Sequence, residues 1–251
     1  MVTGATAAAV PSRSVIVTGG LGDIGMAVAH RFALEGASLL LVDSRADDGG
    51  AAARLIAAGA ADALALVADI GDPLAVAHAV DTACDRFGGI DVIVNVAGMM
   101  IYKPIAALDA ADWRRVIDVN LIGAALFIGH GLRRMRPGGC VINIGSVHAR
   151  RTSALVAPYA AAKAAMVSLT RSAAIEGKPL GIRVNAVLPG AIDTAMLRAS
   201  PNIQSGEEVI DPDDIGQPDD IAAVVAFLAS DSARFITGED VVADGGRMGR
   251  L

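Results

Sequence analysis

Aromatic residues are scarce in this chain of 251 residues, at 3% of the total with one tryptophan, two tyrosines and five phenylalanines. A core built with so few rests on Ala, Val, Leu and Ile within a hydrophobic content of 53%, a composition suited to helices packed closely on a sheet. Cysteine is nearly absent too. Cys84 and Cys140 lie far from each other and from any His in metal-ligand spacing, which argues against a structural zinc site and fits a reducing compartment. No apolar run approaches the roughly 18 to 20 residues needed to span a bilayer without a charge or a Gly/Pro break, so no membrane partner is expected. Met1 to Ser12 lacks a basic region followed by an apolar stretch. It reads as a loose tail with no signal peptide, and cytoplasmic location is the expectation. Positive charge is in deficit as well: the net charge of -6 argues against nucleic acid or an anionic surface as partner. What is left is a small-molecule substrate.

The remaining length, 13–251, suits one α/β domain. Short β-branched runs alternate with longer Ala-rich stretches, the pattern of βαβ units in a parallel sheet. Strands are predicted near Val15–Val17, Leu39–Val42, Ala63–Val67, Val92–Val94, Val141–Ile144, Arg183–Val187 and Asp240–Val242. This gives a doubly wound parallel sheet of about seven strands with helices on both faces. Such sheets bind ligands at the carboxyl ends of their strands, so the residues that end each strand carry the functional reading.

The first strand runs into Thr18-Gly19-Gly20-Leu21-Gly22-Asp23-Ile24-Gly25, with a helix predicted from about Ile24. Glycines let backbone approach a pyrophosphate, whose charge a helix N-terminus stabilises. No Gly-Lys-Ser/Thr follows, so a dinucleotide is preferred over a mononucleotide. Asp43 closes the second strand, where a carboxylate accepts hydrogen bonds from ribose hydroxyls and repels a 2′-phosphate. NAD is therefore expected over NADP, with Arg45 just beyond as the dissenting residue. Asp69-Ile70 ends the third strand and Asn95-Val96-Ala97-Gly98 the fourth. The first could take an adenine amino group and the second leaves room for the cofactor backbone; each alone is also an ordinary strand exit.

Tyr159 and Lys163 stand four residues apart in a chain with two tyrosines and three lysines. Random placement would give that spacing about once in forty chains of this composition. On a helix the two share one face a turn apart. A fixed positive charge beside a phenol favours the phenolate, so the pair suits acid/base catalysis. The bland alternative is a surface lysine one turn from a packing tyrosine.

Taken together these motifs resemble the short-chain dehydrogenase/reductase family. The likeness runs from about Val15 to Gly246. Its markers stand in family order: the glycine turn, Asp43, Asp69, Asn95 to Gly98, Asn120 within Val-Asn-Leu, Ser146, the Tyr159/Lys163 pair, and Pro189-Gly190 leading to Thr194. Ile182 to Asn185, Thr237-Gly238 and Asp244 to Gly246 extend it. Asp23 stands where the family usually has a glycine, with a helix-capping role open to it. Val96 replaces a usual asparagine and Asp214 a common arginine.

The resemblance implies a single Rossmann-type domain that interconverts a secondary alcohol and a ketone with NAD(H). It implies Tyr159 as acid/base, Lys163 lowering the phenol pKa and holding the nicotinamide ribose, Ser146 bonding the substrate oxygen, and Asn120 holding a water that links Lys163 to solvent. Cofactor contacts are expected from Gly19, Leu21, Gly22, Asp23, Ile24, Gly25, Asp43, Ser44, Asp69, Ile70, Asn95, Ala97, Gly98, Tyr159, Lys163, Pro189, Gly190, Ile192 and Thr194. Met99, Met100, Ile101, Tyr102, His148, Leu155, Met196 and Leu197 are candidates for the substrate wall. A lid is expected over about 191–217, because that stretch has weak periodicity and follows Pro189-Gly190. Arg150-Arg151 is either an attractor of anions or a solvated surface. No metal is expected, and a homotetramer or homodimer is. The alternatives are an NADP-dependent ketoacyl thioester reductase and a non-catalytic NAD-binding regulatory protein.

Overall fold

A computed structural model describes residues 12–249, so the expected N-terminal tail, Ser12 apart, lies outside the described residues. Seven strands, all parallel, form one sheet: β1 Ser14–Thr18, β2 Ser38–Asp43, β3 Asp62–Val67, β4 Val92–Asn95, β5 Cys140–Ile144, β6 Arg183–Pro189 and β7 Asp240–Ala243, in the order β3-β2-β1-β4-β5-β6-β7. Each strand lies where the β-branched runs predict it. Between them run α1 Asp23–Ala33, α2 Ala51–Ala57, α3 Pro73–Phe87, α4 Ala110–Ile117, α5 Gly123–Arg134 and α6 Ala157–Gly177, then α7 Ala195–Arg198, α8 Pro201–Gln204 and α9 Pro218–Ala229. The doubly wound architecture expected from the sequence is the one observed.

Strand residues alternate between two cores because successive side chains point to opposite faces. Val15, Leu39, Leu41, Val94 and Ile142 pack on one side with Phe32 of α1 and Val225 of α9. Ile16, Leu40, Val42, Ile93 and Val141 pack on the other with Val80 of α3, Phe127 of α5 and Ala173 of α6. Burial on both faces is why these strands read as continuous apolar runs. Leu40 is fully buried, and truncating such a residue to Ala costs about 2–5 kcal/mol.

Chain order along the sheet reverses at β1, which lies between β2 and β4. A ligand crevice is expected there, at the carboxyl ends of β1 and β4. Thr18, the last residue of β1, fixes that crevice: its Oγ1 accepts from the N–H groups of Val96 (3.1 Å) and Ala97 (3.2 Å) in the loop after β4.

α4 and α5 are continuous through one π-helical turn, Asp118–Ile122. The whole run Ala110–Arg134 is long and apolar enough to match a membrane span by those two measures, although it carries the charges and glycines that the sequence reading counted as breaks. Its apolar residues have a simpler use, since Val116, Ala124, Phe127 and Ile128 are buried where the run packs on α3 and α6.

Candidate active site

The glycine turn folds back on itself. Gly19 has φ +61°, and a Cβ on Gly25 would stand 2.1 Å from the Gly19 carbonyl oxygen, so neither position accepts a side chain as built. The turn opens a cavity of about 810 Å³ lined by Gly19, Gly22, Asp23, Ile24 and Gly25, by Asp43, Ser44 and Arg45, by Asp69 and Ile70, by Ala97 and Gly98, and by Thr194. That size and this wall fit a dinucleotide: close-approach backbone at one place, carboxylates at the adenosine end and a hydroxyl from the segment after β6.

Leu21 and Asn95 do not line it. Leu21 turns inward and its N–H donates to Asp43 Oδ2 at 3.0 Å. Asn95 lies beneath the site, donating to Asn143 Oδ1 at 2.8 Å, while Asn143 donates to Thr170 Oγ1 at 2.9 Å. This buried chain joins β4, β5 and α6. Both residues therefore support the cavity from behind.

Asp43 is also less free than a ribose contact would be. Its Oδ1 accepts from the backbone N–H and Nε of Arg45, both at 3.0 Å, and its Oδ2 from Nη2 at 3.2 Å. Burial pulls the carboxyl upward, but the Arg45 and Leu21 bonds outweigh it and hold the group below the usual carboxylate range.

Asp23 does not cap α1. Gly22 occupies the N-cap with no side-chain cap bond, and the Asp23 carboxylate reaches across to accept from the Ala195 N–H of α7 at 2.7 Å.

Beside the large cavity lies a smaller one of about 160 Å³, which Tyr159, Lys163 and Ser146 line together with Pro189, Gly190 and Ile192. Pro158 sits in the first turn of α6, where its missing N–H has no helical partner to lose, and the helix places Tyr159 and Lys163 on one buried face. Ser146, just past β5, accepts from the His148 N–H at 3.2 Å and lies near enough to the phenol to ease its ionisation. Lys163 donates to the Ile144 carbonyl at 2.7 Å, and its Nζ stands 5.5 Å from the Tyr159 ring centre.

Burial sets the electrostatics of the pair. Burial pushes the Tyr159 phenol up to about 12, against a smaller lowering by Ser146, and burial alone pushes Lys163 down to about 8. Desolvation penalises the charged form of each group, raising the phenol and lowering the ammonium.

Asn120 is held by the π turn. Its Nδ2 donates to the carbonyls of Met99 and Val116, each at 2.9 Å, and its Oδ1 accepts from the Met99 N–H at 3.2 Å. A Cβ on Gly98 would lie 2.9 Å from that Oδ1 and 3.6 Å from Lys163 Nζ. The two polar groups thus flank Gly98.

The expected substrate wall is rearranged. His148, Met100, Tyr102 and Leu197 line the smaller cavity, Met196 lines both, and Met99 lines the larger one. Leu155 lines neither. It has φ +70°, and its neighbour Val156 takes the wall position. His148 Nδ1 is 3.1 Å from Thr152 Oγ1, and its ring meets Tyr159 edge-on with centroids 5.8 Å apart. Arg150 is paired with Asp240, which also binds Arg171 at 2.7 Å, so it serves that ion pair and not the cavity. Sequence reading missed Ser153, Asn202, Glu208 and Arg247 in the smaller cavity and Arg114 and Arg115 in the larger. Among the described residues no cluster of three or more His, Cys, Asp or Glu is placed to hold a metal.

Comparison with known proteins supplies the rest. Residues 20–247 match the family model described as Enoyl-(Acyl carrier protein) reductase. The chain is 38% identical over 244 residues to 3beta-hydroxysteroid dehydrogenase 1 of Eggerthella lenta, covering 93% of each protein. It is 38% identical to cis-4-hydroxycyclohexanecarboxylate dehydrogenase of Sinomonas cyclohexanicum over 241 residues, 93% of this chain and 96% of that one. In structure it resembles a short chain dehydrogenase of Burkholderia cenocepacia in complex with NADP, with TM-score 0.84, 33% identity and coverage of 93% and 96%.

Proposed function

Because this chain belongs to the short-chain dehydrogenase/reductase family and is an oxidoreductase acting on CH–OH groups with a nicotinamide cofactor, we propose that it interconverts a secondary alcohol and a ketone using NAD(H). One observation carries this reading: Ser146, Tyr159 and Lys163 meet in a buried corner that adjoins a dinucleotide-sized cavity.

Gly19, Gly22 and Gly25 would hold the pyrophosphate, Asp43 and Ser44 the adenosine ribose, and Asp69 and Ile70 the adenine. Lys163 would hold the nicotinamide ribose, and Ile192 and Thr194 the carboxamide. When bound, the nicotinamide supplies or accepts the hydride.

The chain's own residues handle the proton. In reduction the Tyr159 hydroxyl gives its proton to the carbonyl oxygen; in oxidation the phenolate takes the hydroxyl proton. Ser146 donates a hydrogen bond to the oxygen where charge develops. A buried phenol held near 12 is a weak acid by itself, so the reading requires positive charge to gather beside it when the site fills. Asn120, beside Gly98, would hold the water that returns a proton to Lys163. The segment from Ala191 to Gln217, which carries α7 and α8, is the proposed lid that excludes water.

NADP is the second reading, favoured by Arg45: it already covers Asp43 and would face a 2′-phosphate. We assign the exposed, small-residue side of α6, with Ala161, Ala164 and Ser168, to a homotetramer or homodimer contact.

The reading is tested by following reduced nicotinamide with a panel of secondary alcohols, NAD and NADP, in the native protein and in Tyr159→Phe. Turnover that Tyr159→Phe abolishes while NADH still binds supports it. Near-normal turnover in that variant would sink it.

A further inference from the structure

Away from Ser146 and Tyr159 the smaller cavity has a charged wall. Arg247, in the turn Arg247–Gly249 after β7, donates to Glu208 Oε1 at 2.9 Å, and both line the cavity. Glu208 is anchored by its N–H to the Asn202 carbonyl at 2.8 Å, and Arg247 by its N–H to the Asp244 carbonyl at 3.2 Å. Taken alone, such a pair is a clasp between the segment after α8 and the chain end.

Three observations make it part of the site. Its side chains are only 20% and 26% exposed, so a ligand would remove most of the water left on them. Its charges reach the reacting corner: His148, two residues past Ser146, feels Glu208 and Arg247 in opposite senses, and Tyr102 feels Glu208. Asn202, 4% exposed, lines the same cavity, and its Oδ1 has no hydrogen-bond partner.

The chemistry of that wall selects among ligands. A hydrocarbon face against the pair strips its water and returns nothing. A carboxylate meets Arg247 but is repelled by Glu208; an ammonium has the reverse difficulty. A hydroxyl satisfies both, accepting from the guanidinium and donating to the carboxylate. Met100, Val156, Leu197 and Ile203 give the cavity an apolar stretch of wall, Ser153, Ser200 and Asn202 add neutral polar groups and, among the described residues, no further carboxylate joins them, and 160 Å³ is small.

Building on the alcohol/ketone reading above, we propose that Glu208 and Arg247 recognise a second hydroxyl, so that the substrate class is a small neutral diol or the matching hydroxyketone.

Matched compounds on one ring test this: cyclohexanol, the cyclohexanediol isomers and 4-hydroxycyclohexanecarboxylate, each oxidised with NAD and with NADP. At least one diol should exceed cyclohexanol in kcat/KM by about tenfold or more, mainly through KM, and the hydroxy acid should be poorer than that diol. In Glu208→Gln and in Arg247→Met the diol-to-cyclohexanol ratio should fall by about tenfold; taken within each variant, the ratio cancels losses of folded or cofactor-loaded protein. A ratio unchanged in both variants overturns the proposal, as does cyclohexanol or the hydroxy acid proving the best substrate. No turnover of any compound alongside intact NADH binding overturns the alcohol/ketone reading itself, and this one with it.

Discussion

The Asp23 carboxylate accepts a 2.7 Å hydrogen bond from the Ala195 N–H, joining the glycine turn to α7 across 172 residues of chain. An anion thus stands on the wall of the cavity assigned to a pyrophosphate. Like charges repel, and the exposed position lets salt screen them. Asp23→Gly is expected to tighten NADH binding by about threefold to tenfold at low salt, with a smaller gain at high salt. It should also lower Tm slightly, because an acidic residue in the first turn of a helix is stabilising. Fluorescence titration of NADH checks both salt conditions. Weaker binding in the variant would mean that Asp23 helps to form the site and does not obstruct it.

A second prediction concerns cofactor choice. Three groups of Arg45 bond the Asp43 carboxylate, so removing that carboxylate both deletes a ribose acceptor and releases a guanidinium. Asp43→Ala should lower the ratio of kcat/KM with NAD to that with NADP by about tenfold or more. Steady-state kinetics with both cofactors reads the ratio directly. If it does not move, Asp43 has no part in selecting the ribose.

How much of this was legible in the sequence depends on distance along the chain. The central strands were readable because burial on both faces writes an apolar run at each one, the half-covered edge strands β3 and β7 because short apolar runs remain, and the glycine turn and the Tyr159/Lys163 pair because their spacing is local. Leu155 was misread by one position: a non-glycine φ of +70° leaves no trace in a sequence, and it gives the wall to Val156. Glu208 and Arg247 gave no signal, since 39 residues separate them and the return of β7 to the sheet edge brings them together. The Arg45 bonds to Asp43 were hidden for a related reason: neighbours along a chain reveal that two groups can meet, not which of several partners each takes.

The pH dependence follows from the buried phenol. In the proposed mechanism oxidation needs Tyr159 deprotonated, and the phenolate fraction grows tenfold per pH unit below the pKa. Burial pushes that pKa up to about 12 and the positive charge of bound NAD lowers it, so kcat/KM for alcohol oxidation should climb from about pH 6 and level off above the pKa of the loaded enzyme. Reduction needs the protonated phenol, so its profile should be flat or falling over the same range. Initial rates in both directions on one substrate pair check the two slopes. An oxidation rate flat with pH would remove Tyr159 from the proton transfer.

Lys163 offers the sharpest separation of stability from function. The residue is 2% exposed and its ammonium makes one hydrogen bond, to the Ile144 carbonyl; burial lowers its pKa to about 8 from an ordinary 10.5. A lysine with a depressed folded-state pKa costs stability wherever the unfolded chain holds the proton more tightly. That cost is full below about pH 8, shrinks as pH rises toward the unfolded value and vanishes above about 10.5. At its largest it is about 3 kcal/mol, part of which is offset by the Ile144 bond. Lys163→Met keeps the length and apolar stem of the side chain and removes the charge. The variant should therefore unfold at higher urea at neutral pH, by about 1–2 kcal/mol, while losing turnover. Its advantage should disappear near pH 10 as the native lysine becomes neutral. Urea melts of both proteins at several pH values provide the measurement. A variant less stable at pH 7, or a gap that does not close with rising pH, would show that the ammonium is held by more than the Ile144 carbonyl.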